Sequence, residues 1–128
     1  MKIFRKFQIM VTIFLIIGLY AGIASETGVW ARSTFSTGAR LEEHFAAPSA
    51  EWGNITKVEY VQKARDLLNS NVGGDIKGFT NGLGYTFRYN SVTNEFAIGH
   101  PNGTVSTLFH PSEGMQYWLE QVAKYGDL

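Results

Sequence analysis

Residues 85–110 read YTFRYNSVTNEFAIGHPNGTVSTLFH. Tyr85, Phe87 and Tyr89 alternate with Thr86, Arg88 and Asn90, the period of two that marks a half-buried strand. The run Asn90-Ser91-Val92-Thr93-Asn94 is a turn, and Phe96 and Ile98 mark the next strand. Pro101-Asn102-Gly103 is a hairpin turn, because Asn-Gly reaches positive φ at little cost. Thr104 to His110 is a third strand, stopped by Pro111. Strict alternation places Val105, Thr107 and Phe109 on one face and Ser106, Leu108 and His110 on the other. Short turns between successive strands predict an antiparallel meander, to which Ile76 to Thr80 adds an edge strand through Asn81-Gly82.

On either side of the meander the period becomes helical. Upstream, Thr56-Lys57-Val58-Glu59 fits a capping box, and Ile55 with Tyr60 forms a hydrophobic staple across it. Tyr60, Val61, Ala64, Leu67 and Leu68 follow at helical spacing, and Gly73-Gly74 is the expected stop. Asn54-Ile55-Thr56 matches a glycosylation sequon, but the cap already explains the threonine. Before that, Arg40 to Ala47 reads as a short helix ended by Pro48, since the residue preceding proline avoids the helical region. Leu41 and Phe45 share its inner face, with Glu43 and His44 at the edge of that face. Downstream, Ser112 is the expected cap of a last helix, with Met115, Trp118, Leu119 and Val122 as its apolar stripe. Helices, then a three- to four-stranded antiparallel meander, then a helix make an α+β domain.

The chain has 128 residues, with 45% hydrophobic, 14% aromatic and no cysteine. That suffices for one domain and is too apolar for a disordered chain. Lack of cysteine excludes disulfides, thiolate metal sites and a cysteine nucleophile. The net charge of zero is uneven along the chain. Lys2, Arg5 and Lys6 precede an uncharged stretch, residues 7–25, and small residues follow at Ala21-Gly22-Ile23-Ala24-Ser25. This fits a secretory signal peptide over 1–24 cut after Ala24, or an uncleaved membrane anchor. Either way the basic flank keeps the N-terminus cytoplasmic and exports the remainder. Without residues 1–24 the chain carries eight basic and eleven acidic residues, which argues against a broadly basic nucleic-acid-coating surface. Residues 25–38, rich in Ser, Thr and Gly, read as a linker or an arm whose Trp30 and Phe35 tuck into a domain spanning 39–128.

The sequence contains no phosphate loop, no zinc-protease motif and no hydrolase elbow. The three histidines, at 44, 100 and 110, are not spaced like metal ligands. The polar residues left as candidates are His44, Arg88, Thr107 and His110, with Tyr117 and Lys77 behind them. Each also has an ordinary structural role open to it. Thr107 suits a strand by propensity, Arg88 fits a solvated strand face, His44 fits local packing, and His110 fits an exposed strand end.

Five segments together carry a resemblance. They are Leu41-Glu42-Glu43-His44-Phe45, Glu59-Tyr60-Val61-Gln62-Lys63-Ala64, Arg88 to Phe96, Asn102 to Pro111, and Tyr117-Trp118. Over residues 39–124 this pattern resembles the barnase/EndoU/colicin/RelE-like nucleases found in bacterial polymorphic and contact-dependent toxins and phage-associated proteins. Pro48 stands where many members have a second histidine, and His110 stands where many have a lysine. The resemblance implies an endoribonuclease toxin working without cofactor or metal. The ribose 2′-OH attacks the adjacent phosphorus and leaves a 2′,3′-cyclic phosphate. It further implies His44 and His110 as acid–base groups, Arg88 and Thr107 as phosphate ligands, and Tyr117 as a positioning group. Its implied partners are RNA, with tRNA foremost, and a cognate immunity protein, with membrane contact through residues 7–24 if the leader is retained. As a toxin it would act in a target-cell cytoplasm. The alternative is an exported, non-catalytic binding module or an inactive relative.

Overall fold

The computed structural model describes residues 28–46 and 51–128. The leader or anchor expected over 1–24, and Pro48, lie outside them. Seven elements follow in order: α1 (Gly38–Ala46), α2 (Lys57–Asn69), β1 (Ile76–Thr80), β2 (Thr86–Asn90), β3 (Glu95–Gly99), β4 (Val105–Phe109) and α3 (Met115–Tyr125). The strands form one antiparallel sheet in the order β1-β2-β3-β4. The chain is therefore the expected α+β meander, with helices before it and a helix after it. No described helix is long and apolar enough to cross a membrane.

Helix α2 begins as its sequence dictates. The Thr56 hydroxyl accepts from the Glu59 amide at 3.1 Å, and the Glu59 carboxylate accepts from the Thr56 amide at 2.8 Å. These bonds satisfy two amides that a helix start leaves orphaned. The helix ends earlier than its glycines suggest, at Asn69, where the Ser70 amide donates back to Leu67. Gly73 and Gly74 instead take positive φ (147° and 57°) and turn the chain into β1. The amide and carbonyl of Gly73 exchange hydrogen bonds with Ile76.

The sheet is covered on both faces. Tyr60, Val61, Ala64, Leu67 and Leu68 of α2 pack on Ala97, Val105 and Leu108. On the other face Trp118 of α3 packs against Phe87, Tyr89 and Phe96. At the first face the Tyr60 hydroxyl is buried and donates to the Leu108 carbonyl at 2.6 Å. Burial, with the Glu51 carboxylate adding to it, pushes that phenol far above its usual range.

Two expectations about the second face are corrected. The cap of α3 is Gly114, at φ 56°, not Ser112, and no side chain caps the helix. Glycine answers the need for positive φ here, which a serine hydroxyl does not. Of the stripe Met115, Trp118, Leu119 and Val122, only Trp118 is buried; the other three are 38%, 53% and 39% exposed. The helix is rolled so that Tyr117 and Tyr125 join Trp118 against the sheet. Aromatic rings reach the sheet's own aromatics, whereas the shorter aliphatic residues stay outside.

A third correction concerns β4. Phe96 pairs with Phe109 and Ile98 with Thr107, but Gly99 pairs with Val105, so Ser106 is an extra residue at a β-bulge. The bulge breaks the alternation. Val105 joins Leu108 in the α2 core, while Phe109 joins the α3 side. The edge of β4 is then met by the N-terminal arm. Phe35 bridges Val105 in parallel, and the Val105 amide donates to the Thr34 carbonyl at 2.9 Å. Trp30 is buried over Gly99, where any side chain would overlap its ring.

Candidate functional site

The arm and α1 do more than cover an edge. The Thr37 hydroxyl accepts from the Arg40 amide at 3.1 Å and starts α1. One turn on, Leu41 and Phe45 face the core. That seat leaves Arg40 and His44 directed along the arm towards β4. Between them and the β3–β4 hairpin lies a recess of about 520 Å³. Its polar lining includes Arg40, His44, His100, Ser36, Ser106 and Thr107, with Asn102 and Thr104 at the hairpin end.

His44 is half-buried and its ring stacks on Phe35, with centroids 5.1 Å apart and planes 26° apart. Burial lowers its pKa; Glu43 pulls the other way and Arg40 adds to the lowering. The imidazole is thus held in its neutral form at physiological pH, the state in which it accepts a proton. His100 follows β3 directly. Its amide donates to the Thr104 carbonyl at 2.8 Å, which closes the hairpin, and its ring lies 5.7 Å from that of Tyr85. The Asn102 side chain stiffens the same turn by accepting from both the amide and the hydroxyl of Thr104, at 3.0 and 2.7 Å. Arg40 touches Glu43 at 3.2 Å, an exposed pair that leaves the guanidinium most of its donors.

The five residues singled out in the sequence fall in four places. His44 and Thr107 line this recess together. Tyr117 lies on the α3 side, edge-on to Phe96 and Phe109 at 5.1 and 5.5 Å. It lines a neighbouring recess that shares Ser106 with the first. Its hydroxyl pKa is raised by burial first, with Tyr125, Glu113 and Glu120 adding to it.

Arg88 projects to the α2 face instead. Its guanidinium donates to the Ser70 carbonyl at 3.3 Å and to the Phe87 carbonyl at 2.9 Å, and burial lowers its pKa. It lines a separate recess of about 350 Å³ beside Gly28 and Asn71, away from His44.

His110 sits past the end of β4. Its amide and its ring Nδ1 both reach Glu51 Oε1, at 2.8 and 3.0 Å, and its ring lies 4.2 Å from Trp52. Trp52 in turn donates to Glu95 at 2.8 Å, and Lys63 stands 3.7 Å from the same carboxylate. His110 therefore helps pin residues 51–52 to the sheet. Lys77 donates to the Gly74 carbonyl in the turn before β1, away from the recess.

Four residues of the recess escaped sequence reasoning: Arg40, His100, Ser36 and Ser106. Arg40 entered only as the start of a short helix, and His100 only as one of three histidines not spaced like metal ligands. The usable signal was positional: His100 abuts a hairpin turn, and Arg40 precedes His44 by one helical turn. Among the described residues no group of three His, Asp or Glu side chains is placed to hold a metal ion. No protein-family model matches the chain, and no characterised protein is similar enough in sequence to count as a relative.

Proposed function

We propose that this protein is a ribonuclease that cleaves RNA by in-line attack of the ribose 2′-OH, with its catalytic site in the recess between α1 and the β3–β4 hairpin. The observation that carries this is the meeting of two imidazoles, a guanidinium and three small hydroxyls in one cavity: His44, His100, Arg40, Ser36, Ser106 and Thr107. A ribose–phosphate link under attack needs a base, an acid and donors for the charge that builds on phosphorus.

His44, held neutral by burial, takes the proton from the 2′-OH as that oxygen bonds to phosphorus. The P–O5′ bond breaks as His100 gives its proton to the departing 5′-oxygen. The products are a 2′,3′-cyclic phosphate and a 5′-hydroxyl, and the step consumes nothing else. Arg40 holds the non-bridging oxygens by its planar fork of donors. Thr107 and Ser106 supply neutral donors. Arg88, Tyr117 and His110 have no part in proton transfer, although the resemblance assigns the first and last of them central roles. RNA, with tRNA foremost, and a cognate inhibitor remain the partners implied by the toxin resemblance, and export remains the implied route.

The test is incubation of the full chain with tRNA and with total RNA in EDTA. The expected result is cleavage to ends carrying cyclic phosphate, slowed at least about tenfold by each of His44→Ala and His100→Ala, and little changed by His110→Ala. Intact RNA at large protein excess, with the fold verified by circular dichroism, overturns the proposal. Full activity in His44→Ala or His100→Ala overturns the assigned site.

A non-catalytic binding module is the second reading. It is favoured by the exposed apolar row of Met115, Leu119 and Val122 on α3. It requires that all of the RNA assays be negative.

A further inference from the structure

We propose that the recess on the α3 side of the sheet is a nucleobase subsite that holds one of the two bases flanking the scissile phosphate. This rests on the ribonuclease reading and extends it to substrate recognition. The recess has a volume of about 520 Å³, within the range of small-molecule sites, and shares the Ser106 wall with the catalytic recess. Tyr85 lines it too, and its ring stands 5.7 Å from that of His100. A nucleotide whose phosphate lies beside His100 therefore brings its own base to this opening.

The chemistry of the walls suits a flat heteroaromatic ring. Phe87 and Ile98 form the floor, and Tyr85, Tyr117 and Tyr125 the sides. Tyr125 stacks on Phe87 at 5.6 Å and 26°, so the aromatic surface is continuous. Tyr117 is held edge-on by Phe96 and Phe109. The rim is fixed by Asn81, a 7% exposed residue whose side chain makes three hydrogen bonds to the backbone. Its Oδ1 accepts from the Leu83 and Tyr85 amides, each at 3.1 Å, and its Nδ2 donates to the Tyr125 carbonyl at 3.2 Å.

Beside this anchored amide stands a free one. Gln121 lines the recess and has no hydrogen-bond partner among the described residues. A carboxamide offers a donor and an acceptor side by side, which matches the edge of a base. Lys124 at the same rim supplies a cation for a following phosphate. Stacking is largely indifferent to base identity, whereas the paired contacts of Gln121 are not. The subsite therefore supplies most of its affinity through the rings and its preference through the amide.

The experiment has two arms on the full chain. In the first, NMR follows the Gln121 side-chain amide and the histidine rings during titration with adenosine, guanosine, cytidine, uridine and, separately, inorganic phosphate. The expected result is that at least one nucleoside shifts Gln121, that phosphate shifts His44 and His100 instead, and that Gln121→Ala weakens the nucleoside response. In the second, dinucleoside monophosphates are compared with counterparts lacking one base. Losing the base held here is expected to lower kcat/KM about 5- to 150-fold. Tyr85→Leu should remove most of that difference. Gln121→Ala, a substitution on a helix surface, should change the ranking of bases even if Tyr85→Leu fails to fold. Nucleosides that leave Gln121 unmoved, or cleavage indifferent to the missing base, overturn the subsite. Nucleoside binding at Gln121 without any RNA cleavage upholds a base-binding recess and overturns the ribonuclease reading alone.

Discussion

Phe35 joins the fold to the site, so its removal should be felt in both. It is 3% exposed and lies between two rings, stacked on His44 at 5.1 Å and nearly parallel to Tyr60 at 5.9 Å and 5°. An aromatic side chain buries about 150–250 Å². At about 25 cal/mol per Å², that is about 4–6 kcal/mol of transfer free energy. The unfolded chain already hides part of this surface, and alanine keeps its Cβ. The expected loss for Phe35→Ala is therefore about 3–5 kcal/mol, in line with other buried phenylalanines. Urea unfolding at pH 7, followed by fluorescence, measures it. The gentler Phe35→Leu should cost about 1–2 kcal/mol and stay folded.

In the leucine variant, NMR titration of the His44 ring gives a second readout. Burial is the leading cause of its lowered pKa, so opening one wall should move that pKa up towards 6.5. The sign for stability follows. A histidine whose folded pKa is depressed resists protonation, so the native protein loses stability as pH falls below 6.5, until the folded form is protonated as well. The leucine variant should lose less on acidification than the wild type. A destabilisation of Phe35→Ala below about 1 kcal/mol, far under the range for buried phenylalanine, would show that the arm is not part of the packed domain. An unchanged His44 titration in folded Phe35→Leu would show that Phe35 is not what keeps the imidazole dry.

Three further outcomes are expected. Tyr60→Phe removes the 2.6 Å bond to Leu108 and orphans a buried carbonyl, at a cost of about 1–3 kcal/mol by urea unfolding. Because the Tyr60 phenol is held above 10, wild-type stability should also fall as pH rises past 10, and less steeply in that variant. Gly99→Ala places a methyl group in the Trp30 ring and should cost about 1–3 kcal/mol, with a red shift of tryptophan fluorescence as the ring is expelled. Thr56→Ala breaks the capping box and should lower stability by about 0.5–2 kcal/mol without affecting RNA cleavage.

The parts of the fold that could be read from sequence are those set by neighbours along the chain. The alternation of Tyr85, Phe87 and Tyr89, the Asn102-Gly103 turn and the Thr56–Glu59 box each depend on a few consecutive residues, and each is found in place. What could not be read depends on partners distant in sequence. The orientation of α3 follows from where Phe87 and Phe96 leave room for Tyr117, Trp118 and Tyr125, and a helical stripe alone does not reveal that. Likewise alternation gives Arg88 its side of β2, but its engagement there depends on the Ser70 carbonyl at the end of α2. His44 and Thr107 share a recess only because the arm carries α1 across the edge of β4. His110 had the right chemistry, but Glu51 and Trp52 occupy it.

The bulge at Ser106 connects these outcomes. Strict alternation along β4 would give Val105 and Thr107 the same face, so a core valine would exclude a threonine at the recess. One extra residue lets Val105 and Leu108 both enter the α2 core, at 1% and 0% exposure, while Ser106 and Thr107 remain to line a cavity between them. The same irregularity falls at Gly99, the residue that admits the Trp30 ring and so anchors the arm. Arm, bulge and recess are therefore one construction: the arm brings Phe35 and α1 to the sheet edge, and the bulge turns that edge polar. Deleting Ser106 would restore regular pairing, with Val105 and Leu108 still on one face and Thr107 on the other, but would take the Ser106 hydroxyl out of the cavity wall. Bulges bend a strand and redirect its side chains, and here the redirected pair lines one recess with two histidines that the sequence keeps far apart.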